Sequence, residues 1–367
     1  MRFSLMLMIR LIALGGLGSS VVAIGLSRAN PRATHSHAVT APRYFGISGS
    51  LLTPGGDRDF LLDAETGRVR EADFGPGVLF KYVVSAPSRD ETGRHLLLGQ
   101  LSFLTGTGSA KLITVASLAV LGLDGGVSHE LPALESVVTG FPCWLPGHPD
   151  RVLVPAGDSQ LYVQELPPRE TLGKSGAGPE RRPRPIDWRC KTPGDGAVVI
   201  TDPASIPDPS RGDYIAVSLA TIRKTANARP RFAPLQLWWL KLDPLDQSIL
   251  DAGMITPPSA SGCEERLPSF AVLPGGTPCI AYLSSCPATQ VWRLMLAPVS
   301  FDGPNGSPKV HAEQIREVSE DVAAMPPVFS PDGRWLHEIR RELAASEMVS
   351  RIDVTRVIAQ SPDDGGR

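Results

Sequence analysis

Val328-Phe329-Ser330-Pro331-Asp332-Gly333-Arg334-Trp335-Leu336 puts an apolar strand end, a four-residue turn and a second apolar strand into nine residues. Proline presets φ early in such a turn, aspartate hydrogen-bonds to backbone two residues on, and glycine supplies the positive φ that closes it. Looser copies stand upstream. Phe270–Leu273 runs through Pro274-Gly275-Gly276 into Cys279–Leu283, and Cys143-Trp144-Leu145 runs through Pro146–Asp150 into Arg151–Val154. Two further copies carry longer turns: Ser88–Arg94 before His95–Leu98, and Thr201–Asp213 before Tyr214–Val217.

A second half recurs after each first half. Phe60-Leu61-Leu62-Asp63-Ala64-Glu65-Thr66-Gly67-Arg68 and Leu118–Gly126 are apolar strands ending in an acidic-glycine turn. Leu161–Leu166, Leu237–Asp243 and Val291–Leu296 complete the set. Several strands are continuously apolar, as strands buried on both faces must be. A single four-stranded unit cannot cover its own faces, so such units stack in a ring. The fold class is therefore all-β: a β-propeller of four-stranded antiparallel blades, about six by the unit count, with five to seven allowed. The first blade opens at Tyr44 without a full first strand, and Ile352–Ala359 is expected to supply it and close the ring.

At Phe329-Ser330-Pro331-Asp332-Gly333-Arg334 the chain resembles the PD40 (WD40-like) repeat of TolB-like proteins, whose hallmark is this turn before an apolar strand. The resemblance extends in degenerate form over most of residues 44 to 360. It implies that the Pro-Asp-Gly turn joins the first and second strands of a blade, and that Asp63–Gly67 joins the third and fourth. TolB itself carries an extra α/β domain ahead of its propeller, whereas here a linker runs almost directly into strands. The insert Pro167–Pro185 has no place in the repeat.

The remaining segments are short. Arg2 and Arg10 flank an export-type leader in which Leu11–Leu26 is a 16-residue uncharged run, and Ser27-Arg28-Ala29 offers a cleavage site. A spanning helix wants about 20 apolar residues, so residues 1–29 read as a signal peptide, with an uncleaved N-terminal anchor as the alternative. Residues 30–42 are a polar linker, 43–360 the propeller, and 361–367 a tail. The expected location is periplasmic or extracellular, with no membrane span beyond the N-terminal segment.

Composition excludes several functions. Lys+Arg (36) nearly balances Asp+Glu (38), which leaves no basic excess for nucleic acid. Gly173-Lys174-Ser175 lacks the first glycine of a phosphate loop, since Pro168 stands there. No Gly-x-Ser-x-Gly elbow occurs. His35 and His37 form a pair in the linker without a third ligand nearby, and the other histidines show no metal spacing. No cofactor, metal or catalytic set is expected. Arg211-Gly212-Asp213 reads as turn, and Pro308 follows the Asn305-Gly306-Ser307 sequon. Five of the six tryptophans stand in repeat strands, where they pack blade against blade.

Two features point outward. Ile222–Pro234 (IRKTANARPRFAP) carries Arg223, Lys224, Arg229 and Arg231 with no acid. It joins the second and third strands of a blade, on the face where propellers bind, and suits an acidic protein partner or an anionic ligand. Cys263 enters a blade, and Cys286 lies between that blade's second and third strands. Those two connections emerge on one face, so a Cys263–Cys286 bridge is expected, with Cys279 at the opposite end. The functional expectation is a non-enzymatic binding scaffold. The alternative is a glycosidase- or lyase-type enzyme with carboxylates such as Glu264 or Asp187 near the channel mouth, which two facing carboxylates at a glycosidase separation would favour.

Overall fold

The computed structural model describes residues 43–48, 59–72, 78–85, 97–105, 112–121, 127–131, 140–145, 148, 150–157, 160–166, 182–193, 198–207, 214–223, 231–258, 262–286, 289, 291–340 and 348–360. The leader, the linker with His35 and His37, most of the 167–185 insert, Lys224, Arg229 and the tail lie outside them.

Five antiparallel sheets follow one another along the chain. Blade one has seven strands: β1 (Tyr44–Ser48), β2 (Asp59–Asp63), β3 (Arg68–Ala72), β4 (Val78–Ser85), β5 (Leu97–Thr105), β6 (Leu112–Leu121) and β7 (Val127–Glu130). Blade two holds β8 (Cys143–Trp144), β9 (Arg151–Ala156), β10 (Gln160–Glu165) and β11 (Arg184–Pro185). Blade three holds β12 (Val198–Ser205), β13 (Tyr214–Arg223), β14 (Arg231–Phe232), β15 (Gln236–Leu242) and β16 (Ile249–Met254). Blade four is β17 (Glu264–Val272), β18 (Pro278–Ser285), β19 (Trp292–Pro298) and β20 (Arg316–Glu320). Blade five is β21 (Val328–Phe329), β22 (Trp335–Ile339) and β23 (Val349–Asp353).

Blade-on-blade packing closes these sheets into a propeller. Ile200, Ile215 and Leu240 of blade three meet Leu153 and Leu161 of blade two. Tyr214 and Trp239 of blade three meet Phe270 and Tyr282 of blade four. Leu283 and Leu294 of blade four meet Phe329 and Leu336 of blade five. Val328, Ile339 and Met348 of blade five then share one core with Phe45 and Leu62 of blade one and Trp144 and Val152 of blade two. The count is five rather than six because the first two repeat units share one sheet, joined where Phe45 pairs with Val84 and Gly46 with Val83.

The turn that identified the repeat forms as its chemistry dictates. The Gly333 amide donates to Ser330 O at 2.9 Å, the Arg334 amide to Asp332 Oδ1 at 3.1 Å, and the Trp335 amide to Ser330 Oγ at 2.9 Å. Gly333 has φ +70°, and a Cβ there would stand 2.1 Å from Val272 O of blade four. Gly276, in the matching turn of blade four, has φ +82° with open space around it.

Two expectations are corrected. Residues 352–359 do not supply a strand to blade one. Ile352 and Asp353 finish β23, and Val354–Ala359 forms a helix, α1, whose Val354, Val357 and Ile358 pack in the core shared by blades four and five. Asp353 is the cause: its carboxylate accepts from the Thr355 and Arg356 amides and caps the helix. Among the described residues the ring closes through the shared side-chain core and a hydrogen bond from His337 Nε2 to Ala64 O at 2.9 Å. The second correction concerns Thr201–Ser205, expected in a long turn, which instead continues β12 through a bulge.

That bulge belongs to a pattern on the inner strands. β12 shifts register between Thr201 and Ala204, with Asp202 at φ +51°, and β17 shifts between Arg266 and Ser269, with Leu267 at φ +55°. Pro203 and Pro268 follow those residues, and Pro142 and Pro327 stand just ahead of β8 and β21. Each of these four strands is the edge of its sheet, where a residue without an N–H leaves no ladder partner unsatisfied.

Candidate functional site

The face where the inner strands begin gathers the chain's outward-pointing chemistry. β13 runs past its last pairing with β15, Leu219 opposite Gln236, and turns into β14. In the β13–β14 ladder Ile222 stands opposite Phe232 and Arg223 opposite Arg231. The predicted basic segment is therefore a projecting hairpin with two arginines in directly opposed register. Lys224 and Arg229 fall in the stretch between them that is outside the described residues.

The foot of this hairpin is tied to blade four. The Ala233 amide donates to Thr221 O at 3.0 Å, and two residues on, Leu235 O accepts from the Glu265 amide at 2.8 Å. Glu265 Oε2 accepts from the Leu237 amide at 3.4 Å and from Thr256 Oγ1. Burial raises the Glu265 pKa, while the Thr256 and Leu237 donors pull it back. Two residues before Glu265, Cys263 is joined to Cys286, with Cα atoms 4.2 Å apart. The hairpin of blade three and the bridge of blade four thus share one end of the ring. Cys279 lies at the far end of β18, buried, with its thiol 3.1 Å from Ala297 O.

Phe141, just before β8, packs against both the blade one-two-five core and the blade four-five core. Asp202 of β12 is 2% exposed and accepts from Arg266 Nε at 3.1 Å and Nη2 at 3.0 Å, and from Thr201 Oγ1 at 3.0 Å. The Phe141 amide also favours its carboxylate. Burial outweighs these partners and raises the Asp202 pKa. One carboxylate therefore ties blades two, three and four together. Gly140 permits the approach, since a Cβ there would sit 2.2 Å from Thr201 Oγ1.

The two carboxylates named for the enzymatic alternative stand on different blades. Glu264 opens the inner strand β17, whereas Asp187 follows β11, the outermost strand of blade two, and its carbonyl holds the Ile249 amide. A Ser-His-Asp trio does occur outside the sequence expectations, in the loop after β19. Ser300 Oγ donates to Asp302 Oδ1 at 2.6 Å, and His311 Nε2 lies 3.0 Å from Asp302 Oδ2. A nucleophilic serine gives its proton to the imidazole. Here Ser300 Oγ, at 3.2 Å, and Asp302 both meet the same imidazole nitrogen, His311 Nε2, where a triad uses opposite nitrogens, so the trio clips the loop. Burial pushes the Cys143 and Cys279 thiols far above their ordinary range and raises Cys190, which removes them as nucleophiles. Among the described residues no group of three or more His, Cys, Asp or Glu could hold a metal ion, and no helix is long and apolar enough to cross a membrane.

No family model matches the sequence, and no curated protein matches it. Among solved structures, a chain from the crystal structure of a mitotic checkpoint complex is similar at 13% identity and a TM-score of 0.36, over 92% of this chain and 99% of that one.

Proposed function

We propose that this chain is a PD40-type, TolB-like propeller exported from the cytoplasm, where it serves as a non-enzymatic scaffold. Its entry face receives an acidic protein segment or another anionic ligand at the β13–β14 hairpin. The observation that carries this reading is the register of Arg223 opposite Arg231, in a segment with two more basic residues and no acid. Like charges directly opposed on a ladder cost about 0.2–1 kcal/mol, a cost that a bound anion offsets. The Cys263–Cys286 bridge supports an oxidising compartment.

The test is a charge reversal of Arg223, Lys224, Arg229 and Arg231 to glutamate. Binding of a polyglutamate probe by the parent protein should weaken steeply with added salt. The variant should lose that binding and take polylysine instead. Its stability should change by no more than about 0.5 kcal/mol per site, because the opposed pair stays like-charged. Equal polyglutamate binding by parent and variant would remove the hairpin as the contact surface.

A further inference from the structure

The seam between the last blade and the first contains a histidine that has no role in the entry face. His337 is fully buried on β22, in the core shared by blades five and one. Its Nε2 donates across the seam to Ala64 O at 2.9 Å, and its Nδ1 is buried without a hydrogen-bond partner. The ring is also held closely: a Cβ on Gly67 would meet its Cε1 at 3.3 Å. This arrangement fits a neutral imidazole, in which one nitrogen donates and the other carries a lone pair. A second proton would place an N–H, and a charge, where no acceptor stands.

We propose that His337 is an acid-sensitive latch: protonation of its imidazole releases the contact between blade five and the Asp63–Gly67 turn of blade one. The charged groups around it do not rescue the protonated form. Asp63, from the turn, is engaged by Arg43 through Nε at 3.3 Å and Nη2 at 3.1 Å, and Arg43 also pairs with Glu65. Arg351 stands opposite His337 on β23, its guanidinium 3.9 Å from the Trp335 ring, and its charge opposes a second cation. Glu338, next along β22, is held by Arg340 and Ser350, each at 2.6 Å. Burial is the largest influence and keeps His337 below the ordinary imidazole pKa. Ala64 and Asp63 act in the opposite direction and Arg351 in the same one.

The sign and size follow from linkage. With the seam open, the imidazole meets water and titrates near its ordinary value of about 6.5. Below that pH the open state takes a proton that the closed state refuses, so the open fraction rises about tenfold per pH unit. The rise stops once the closed form is itself protonated.

Amide hydrogen exchange across a pH series tests this, with rates corrected for the intrinsic pH dependence and His337→Gln as comparator. Glutamine has an amide donor for Ala64 O and does not titrate. In the parent protein, protection of residues 62–67 and 336–339 should fall about fivefold between pH ~6.5 and pH ~5.5. Residues 215–219 of blade three should keep theirs, and the glutamine variant should show no such fall. Equal pH dependence in parent and variant, or loosening of residues 215–219 equal to that of residues 62–67 and 336–339, would overturn the latch. Should the variant fail to fold, the Cε1 proton resonance of His337 in the parent decides. An imidazole neutral well below pH ~6.5 supports the latch, and titration at that ordinary value refutes it.

Discussion

Replacing Arg266 with methionine keeps a long side chain on β17 and removes the guanidinium that faces Asp202. Asp202 is 2% exposed, and the Arg266 side chain is 30% exposed. Breaking a buried pair from one side costs about 3–5 kcal/mol. Two features place this case at the lower end. The carboxylate keeps Thr201 Oγ1 at 3.0 Å and the Phe141 amide, and it can take a proton. Protonation sets a ceiling, since neutralising an aspartate at pH 7 costs about 4 kcal/mol, roughly three pH units at 1.36 kcal/mol each. We therefore expect a loss of about 3 kcal/mol at pH 7. The pH dependence has a definite sign. A carboxyl whose folded pKa lies above its unfolded value keeps its stability at low pH and loses it as pH rises through the folded pKa. The penalty of Arg266→Met should accordingly shrink toward pH ~4, and Asp202→Asn added to it should restore all but about 1 kcal/mol. Urea unfolding followed by tryptophan fluorescence at two pH values measures each quantity. A loss below about 1 kcal/mol that does not change with pH would mean that water, not Arg266, compensates Asp202.

Glu265→Gln should remove a pH slope of the same sign, because the Glu265 pKa is also raised by burial. The variant should match the parent near pH ~4 and exceed it near pH ~8, and equal pH–stability curves would refute this. Protein recovered from outside the cytoplasm should begin near Asn30 and yield a Cys263–Cys286 cross-linked peptide on non-reducing digestion. With 23 residues separating the pair, its loss in Cys263→Ser should cost about 3 kcal/mol in the chain-entropy model. Free thiols at both positions in exported protein would dismiss the bridge.

The parts of this molecule legible in the sequence are those encoded by neighbouring residues. Ser330–Gly333 specifies a turn because each residue satisfies one local demand, and the apolar strands around it leave stacking as the way to cover both faces. The basic hairpin was visible as four charges in one connection, and its place on the entry face followed from strand order. Asp202 and Arg266 were not legible as a pair. They are 64 residues apart, and nothing in Thr-Asp-Pro-Ala or Arg-Leu-Pro-Ser marks an ionic contact. A usable signal was still present: Pro203 and Pro268 occupy the same position after a bulge, and Pro142 and Pro327 precede the inner strands of their blades. That spacing would have placed Thr201–Ser205 in a strand rather than a turn. The helix after Asp353 was also written locally, in a capping aspartate followed by Val354-Thr355, although Ile352–Ala359 is apolar enough to read as a strand.

Gly333 and Gly276 share a motif position and a positive φ, yet answer to different constraints. At Gly276 the backbone conformation alone is at stake, and asparagine, which tolerates the left-handed region, would suffice. At Gly333 the carbonyl of Val272 occupies the space a side chain would need, so any substitution moves one blade against the next. A hairpin turn there doubles as a spacer between blades. Turns along the ring are then unequally constrained: one with open space around it accepts side chains and added length, while one wedged against its neighbour does not. The fullest Ser-Pro-Asp-Gly turn stands where the adjoining blade leaves no room for a side chain.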